Sequence, residues 1–387
     1  MYTGVCLPKA FQIVVDDVGW WKGLDERAID SPSRTGMCRR HVPEDYLALA
    51  RLGKELGMRI LCGFVVGEWD QKNRLACVPH TSKYGANWDM ASRIDRRIRE
   101  ARDIILSNQA YLEMALHGLN HMYWDEQGHF SPAEFYQRHG SDYSMLPPDI
   151  ARQHIETYFQ ILHDNALTYP VKAFIPPCFF YVYCKENHHL SYILQEYGIS
   201  YVSTPFGSMK TDGCEKPVTA GVENGIITVD HTHDTYTWDK ISPLPPSVYK
   251  ESTFGTHWPH FLHYDPTRND ETVDTWIAYF KGYFDLPGMF PAPDFEKAVH
   301  QALYQRFTQV QNTEQGFVLD FSQVDAQKAS AYSPDVYIQM PIAQIPTCDQ
   351  EASMTLNRKG TTFAEYVLTR KNKAKYVKIL LYNTVSS

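Results

Sequence analysis

The residues able to do chemistry share one pattern: each group follows a short apolar run. Asp16-Asp17 closes the run 11–15, and His117 and His121 frame HGLNH after the run 111–116. Asp230 and Asp234 bracket DHTHD after the run 225–229, and His257, His260 and His263 follow 252–256. Two carboxylates at the end of an apolar strand are costly unless hydrogen-bonded or metal-bound. Adjacent strand residues point to opposite sides, so a turn is needed to bring both into one site. A helix cap or plain turn is the bland alternative. Two histidines four apart share one face of a helical turn and can chelate one ion. With one carboxylate they form a His₂Asp set that leaves a coordination position open, the arrangement of catalytic zinc. The competing account is one core and one surface histidine. The pair His231-x-His233 is a further candidate, for a second metal or a substrate contact.

The elements that must position these residues read as alternating strands and helices. Strands are expected at 11–15, 58–66, 111–116, 171–175, 199–203, 225–229 and 252–256, from apolar runs bounded by turn residues. Helices are expected at 43–56, with Pro43 in the first turn and Gly57 as the stop, and at 92–106, 148–165, 190–197, 270–284 and 294–310. Seven strands with crossovers predict a distorted (β/α)7 barrel, closed or nearly so. In such a barrel the chemistry sits at the C-terminal strand ends. Residues 313–387 change character: strands at 316–320, 336–340, 352–356, 364–369 and 376–382 have no long helix between them. The expected division is therefore a barrel over 1–312 and a small β-rich appendage over 313–387.

VVDD at the first strand and LHGLNH at the third resemble the first two motifs of the polysaccharide deacetylase superfamily, carbohydrate esterase family 4. Ile175-Pro176-Pro177 resembles the third, Asp234 to Trp238 (DTYTW) the fourth, and Gly255-Thr256-His257 or Phe261-Leu262-His263 the fifth. The resemblance spans roughly residues 8–290. It implies Asp17, His117 and His121 as ligands of one divalent transition metal, with Zn²⁺ the best fit to the set. It implies Asp16 as the base that takes a proton from the attacking water and backbone N–H groups near 177–179 as oxyanion donors. It implies His257 as the acid that protonates the leaving amine, with His260 and His263 in reserve, and Asp230 or Asp234 orienting that acid. Trp20, Trp88, Pro177, Tyr181, Trp238 and His263 are expected to line the substrate pocket, the aromatics as sugar-stacking surfaces. Three positions depart from the pattern. Ile175 stands where an Arg normally contacts the catalytic Asp, Asp17 is followed by Val18-Gly19, and Gly118 replaces a usual Ser or Thr.

Composition narrows the classes. The chain has 387 residues with 43% hydrophobic and 21% charged, enough for a large core. A net charge of −8 argues against a nucleic-acid partner. The basic stretches 93–102 and 370–378 read as a solvated helix face and an exposed strand edge or turn. No apolar run reaches a membrane span. Eight cysteines with no CxxC pair fit a reduced, cytoplasmic protein, as does the lack of a signal-peptide pattern at the start of the chain. Of 16 histidines, 13 lie between His117 and His263, and histidine is the commonest metal ligand and proton carrier. The expected activity is removal of an acetyl group from an N-acetylated sugar or glycan precursor. Three alternatives remain: an amidase acting on another small C–N bond, a carbohydrate-binding protein without turnover, and a glycoside hydrolase using Asp16 with Asp230 or Glu68. Oligomeric state is open.

Overall fold

The computed structural model describes residues 5–21, 35–140, 142–168, 170–186, 189–232, 235–247 and 253–383. Its centre is a mixed α/β sheet. The strands in chain order are β1 (Lys9–Val18), β2 (Ile60–Phe64), β3 (Leu112–Leu116), β4 (Ala173–Phe174), β5 (Tyr201–Thr204), β6 (Ala220–Glu223), β7 (Ile226–Asp230), β8 (Thr253–His257) and β9 (Met289–Pro291). Their spatial order is β6-β7-β5-β4-β3-β2-β1-β8, with β9 pairing the start of β1. Every ladder is parallel except β6–β7. Each of the seven expected strands is present. The short antiparallel β6 and the three-residue β9 were not expected.

The sheet path is open rather than closed. Among the described residues no ladder joins β7 to β8. The chain leaving β7 packs over the face of β8: a Cβ on Gly255 would lie 2.2 Å from His231 Nε2 and 2.4 Å from the Thr232 carbonyl.

The crossovers are α1 (Pro43–Leu56), α2 (Arg96–Ser107), α3 (Pro148–Asp164), α4 (Leu190–Glu196), α5 (Asn269–Phe284) and α6 (Phe295–Phe307). Helix α1 starts where the Asp45 carboxylate accepts from the Val42 N–H at 3.0 Å, and it ends on Gly57 at φ 67°. Strand alternation assigns the two faces of the sheet. Ile13 and Val15 of β1 join the cluster containing Tyr46 and Leu49 of α1 and Trp276 and Phe280 of α5. Val14 joins the other cluster, with Val299 and Leu303 of α6. Asp16 follows Val14 by two residues and continues its side. Phe317, Leu319, Val336 and Ile379 from the C-terminal strands belong to this same second cluster.

The C-terminal strands form a four-stranded and a three-stranded sheet. Gln309 and Val310, read from sequence as the end of a helix, instead begin the strand Gln309–Thr313: α6 stops at Phe307 and its C-cap Thr308 is extended. Among the described residues, no helix is long and apolar enough to cross a membrane.

Candidate active site

Strand β1 delivers both carboxylates through one backbone kink. Asp17 has φ 62°, in the left-handed region, and the β1–β2 register shifts between Val15 and Val18. This bulge breaks the alternation that would send Asp17 to the opposite face. Asp16 is 1% exposed, and its Cα stands opposite that of His257 on the neighbouring strand. Asp16, Asp17 and His257 therefore meet at the C-terminal ends of β1 and β8.

The HGLNH segment is a loop, not the helical turn expected from its spacing. Gly118 has φ 92° and His121 φ 63°, so two left-handed residues fold the chain back on itself. Gly118 is required there for a second reason: a Cβ would lie 2.4 Å from Glu134 Oε2. The buried Glu134 carboxylate accepts from Leu119 N–H at 2.8 Å and Asn120 N–H at 3.1 Å, and faces His154 Nδ1 at 3.1 Å. These charge-assisted bonds hold the loop. The glycine that departs from the deacetylase motif is what lets Glu134 approach.

The result is a compact set of donors. Asp17 Oδ1 lies 3.3 Å from His117 Nε2 and 3.6 Å from His121 Nε2, and Asp17 Oδ2 lies 3.6 Å from His257 Nε2. One ligand atom from each of Asp17, His117 and His121 falls within 4.8 Å of the other two. His117 Nδ1 donates to the Ile175 carbonyl at 2.8 Å, which leaves its Nε2 lone pair facing Asp17. His121 Nε2 accepts from the Cys178 N–H at 3.1 Å, so its one lone pair serves that bond here and turns to an ion only when the bond opens. Asp17 Oδ1 and His117 Nε2 are buried with no hydrogen-bond partner of good geometry. A carboxylate oxygen and an imidazole nitrogen left facing each other this way are satisfied by a cation between them. One carboxylate and two imidazoles suit a divalent transition metal, and Zn²⁺ in particular. Burial alone would raise the Asp17 carboxyl, but His121, His117 and His257 together hold it well below the usual carboxylate range. Burial likewise opposes charge on His117, and Asp17 and Asp16 outweigh it and raise its pKa.

Two further contacts shape the site. Cys178 and Phe179 sit at φ 54° and 56°. Two consecutive left-handed residues without glycine store strain of about 1–3 kcal/mol each, and the turn they make aims the Cys178 N–H into the site. The second contact is His231, which is fully buried. Its Nδ1 pairs with Ser203 Oγ at 3.1 Å, and its Nε2 faces Asp16 Oδ2 at 3.4 Å. The Phe179 ring lies 5.0 Å from the His231 ring. The sequence treats His231 as a metal or substrate contact. In the fold it stands against Asp16 instead. Its position directly after β7 was the available signal. Its pairing with β1, on a strand that is not a neighbour in the sheet, was not.

The remaining sequence candidates divide between the site and the framework. Trp20 packs on the His121 ring at 5.4 Å, and Pro177 lies next to Gly118. Tyr181 is fully buried and donates to Glu223 Oε1 at 2.8 Å, and Trp88 Nε1 donates to Asp70 Oδ2 at 3.0 Å. Both are tied into the framework. Asp230 Oδ1 accepts from the Phe206 N–H at 2.8 Å, and the carboxylate facing His257 is that of Asp17. His260 is fully buried, with Nε2 on the Thr237 carbonyl at 2.9 Å. His263 Nδ1 accepts from the Asp265 N–H at 3.0 Å, and its own N–H donates to Asn269 Oδ1 at 2.8 Å, an arrangement that starts α5. Trp238 is exposed. Asp234 and His233 lie outside the described residues.

No family model matches the chain, and no curated protein matches it. Solved structures similar to it include a family 4 carbohydrate esterase from Streptomyces lividans in complex with acetate. That match has 10% identity and a TM-score of 0.34, over 74% of this chain and 93% of that chain. Another is described as a "putative polysaccharide deacetylase" from Mycobacterium smegmatis, with 15% identity and a TM-score of 0.34, over 74% of this chain and 76% of that chain. Both overlaps are low, and the roles given to residues below rest on this chain's own geometry.

Proposed function

We infer that this chain is a metal-dependent hydrolase that removes the acetyl group from an N-acetylated sugar. The observation that carries the reading is the convergence of Asp17, His117 and His121 on one point, with Asp16 and His257 at adjoining strand ends. A divalent ion held by those three side chains would supply Lewis acidity to water and to the acetyl carbonyl. Asp16 takes the proton of the attacking water as its oxygen bonds to the carbonyl carbon. The Cys178 N–H, which donates to His121 Nε2 in this structure, turns to the oxygen that gains charge once His121 takes an ion. His257 gives a proton to the nitrogen as the C–N bond breaks, and acetate and the free amine leave. His231 holds the Asp16 carboxylate in place. Trp20 forms part of the wall beside His121.

The His231 contact weighs against a chain that kept the site and lost turnover, because the partner missing at Ile175 is replaced. The test is acetate release from N-acetylglucosamine oligomers by zinc-loaded protein. Asp16→Asn is expected to abolish release while zinc content stays at the wild-type level. Full activity in that variant overturns the assignment of the base.

A further inference from the structure

A second cluster of metal-binding side chains lies away from this site. The short strands Val182–Cys184 and Lys210–Asp212 pair in parallel, with Cys184 directly opposite Asp212. His189 is the extended residue that starts α4, and its side chain does not cap the helix. Its Nε2 lies 3.4 Å from Asp212 Oδ2. One ligand atom each from Cys184, His189 and Asp212 lies within 4.8 Å of the others. A second thiol, Cys214, follows Asp212 by two residues across Gly213 at φ 63°, but it donates to the Tyr183 carbonyl at 3.5 Å and is not one of this group. We propose that Cys184, His189 and Asp212 form a transition-metal site suited to Zn²⁺.

Three observations support it. First, the three donors, a sulfur, an imidazole and a carboxylate, are all types that Zn²⁺ takes, and Cys184 is a free thiol. Second, the site is built before any ion arrives. Asn224 Nδ2 ties the Cys184 carbonyl, the Glu186 carbonyl and Ser191 Oγ together at 3.4, 3.2 and 3.0 Å. One amide thus fixes the strand end that carries Cys184 to the helix that carries His189. Third, Cys184 Sγ already accepts the Glu186 N–H at 3.3 Å, the kind of bond to sulfur that supports a ligating thiolate. Binding one Zn²⁺ displaces the Cys184 proton to solvent. Asp212 is largely exposed and gives an ion its way in. The chain spacing, C-x4-H with an Asp more than twenty residues on, matches no common zinc pattern, and the parallel strand pairing that unites it is invisible in the sequence.

The test is a Co²⁺ titration of the full chain under reductant. Cobalt bound by thiolate gives a near-ultraviolet charge-transfer band, which the Asp17–His117–His121 set, having no sulfur, does not produce. The expected result is a band complete by two equivalents in the wild type, where the first site also takes cobalt, and by one equivalent in His117→Ala. It should persist in His117→Ala and in Cys178→Ser, which removes the thiol nearest the first site, and disappear in Cys184→Ser. His189→Gln alters a surface residue and is expected to weaken cobalt binding at least tenfold with an unchanged melting temperature. No band in the wild-type protein, a band that survives Cys184→Ser, or unchanged affinity in His189→Gln overturns the proposal. Acetate release does not enter these readouts, so this site can fail or stand apart from the hydrolase reading.

Discussion

Replacing Gly63 with alanine should damage the candidate active site while leaving the fold intact. Gly63 lies in the middle of β2, beneath the converging side chains. An added Cβ would sit 3.2 Å from His117 Cγ, 3.2 Å from Ile175 Cδ1 and 3.3 Å from Asp16 Oδ1. Comfortable carbon contacts begin near ~3.5 Å, so these groups must give way by roughly 0.3 Å. The backbone at Gly63 is not left-handed, and alanine there gains about 0.4–1 kcal/mol through the unfolded chain, which offsets part of the crowding. Stability should stay within about 1 kcal/mol of wild type. Catalysis is less forgiving: a misplacement of ~1 Å costs on the order of 100-fold, so a third of that costs roughly fivefold in kcat. Shifting the His117 ring should also weaken zinc binding by about tenfold. The assays are zinc affinity by chelator competition, acetate release at saturating zinc, and a thermal melt. Unchanged affinity and turnover would show that Gly63 does not set the position of His117 and Asp16. A melting temperature lowered by about 10 °C or more would show that the crowding is not local.

Two other predictions follow from buried polar groups. His231→Gln should lower kcat at least tenfold with KM and zinc content unchanged, because His231 faces Asp16 rather than the three ligands; loss of zinc in that variant would contradict its assigned place. Glu223 is fully buried beneath Tyr181 and Thr228, and burial lifts its carboxyl from 4.5 to about 7. Between those values the folded state holds a proton that the unfolded state has released, so stability falls as pH rises through the window, by roughly 3 kcal/mol for this group. Urea unfolding at pH 4.5 and 7.5 should show Glu223→Gln with a correspondingly flatter dependence than wild type, and parallel curves would refute the burial argument.

The framework was legible because its strands are apolar runs punctuated by turn residues and its helices carry their own stop signals. Helix α1 begins at Pro43 and ends before Gly57 as the sequence indicates. Helix α2 is shorter at its start because Asp95 caps it, accepting from Arg97 N–H at 2.9 Å, a local signal that the apolar spacing hides. What could not be read was anything set by contacts between distant segments. The packing of His231 over Gly255, the Glu134 clamp on the histidine loop and the opposition of Cys184 to Asp212 each depend on tertiary approach. The histidine spacing suggested a helix, but a glycine and a histidine in left-handed conformations make the same chelate from a loop. Local periodicity carries no information about such positive φ values. Asp16 and Asp17 could be singled out as a pair, but whether both face one site depended on a kink that only the structure displays.

The account stands most directly on one measurement: zinc content by mass spectrometry together with acetate release from N-acetylglucosamine oligomers, for wild type and His117→Ala. The account predicts that His117→Ala loses one zinc relative to wild type and releases no acetate, and that a chelator silences the wild-type protein. Equal zinc content in the two proteins, or acetate release that survives the substitution, would contradict it.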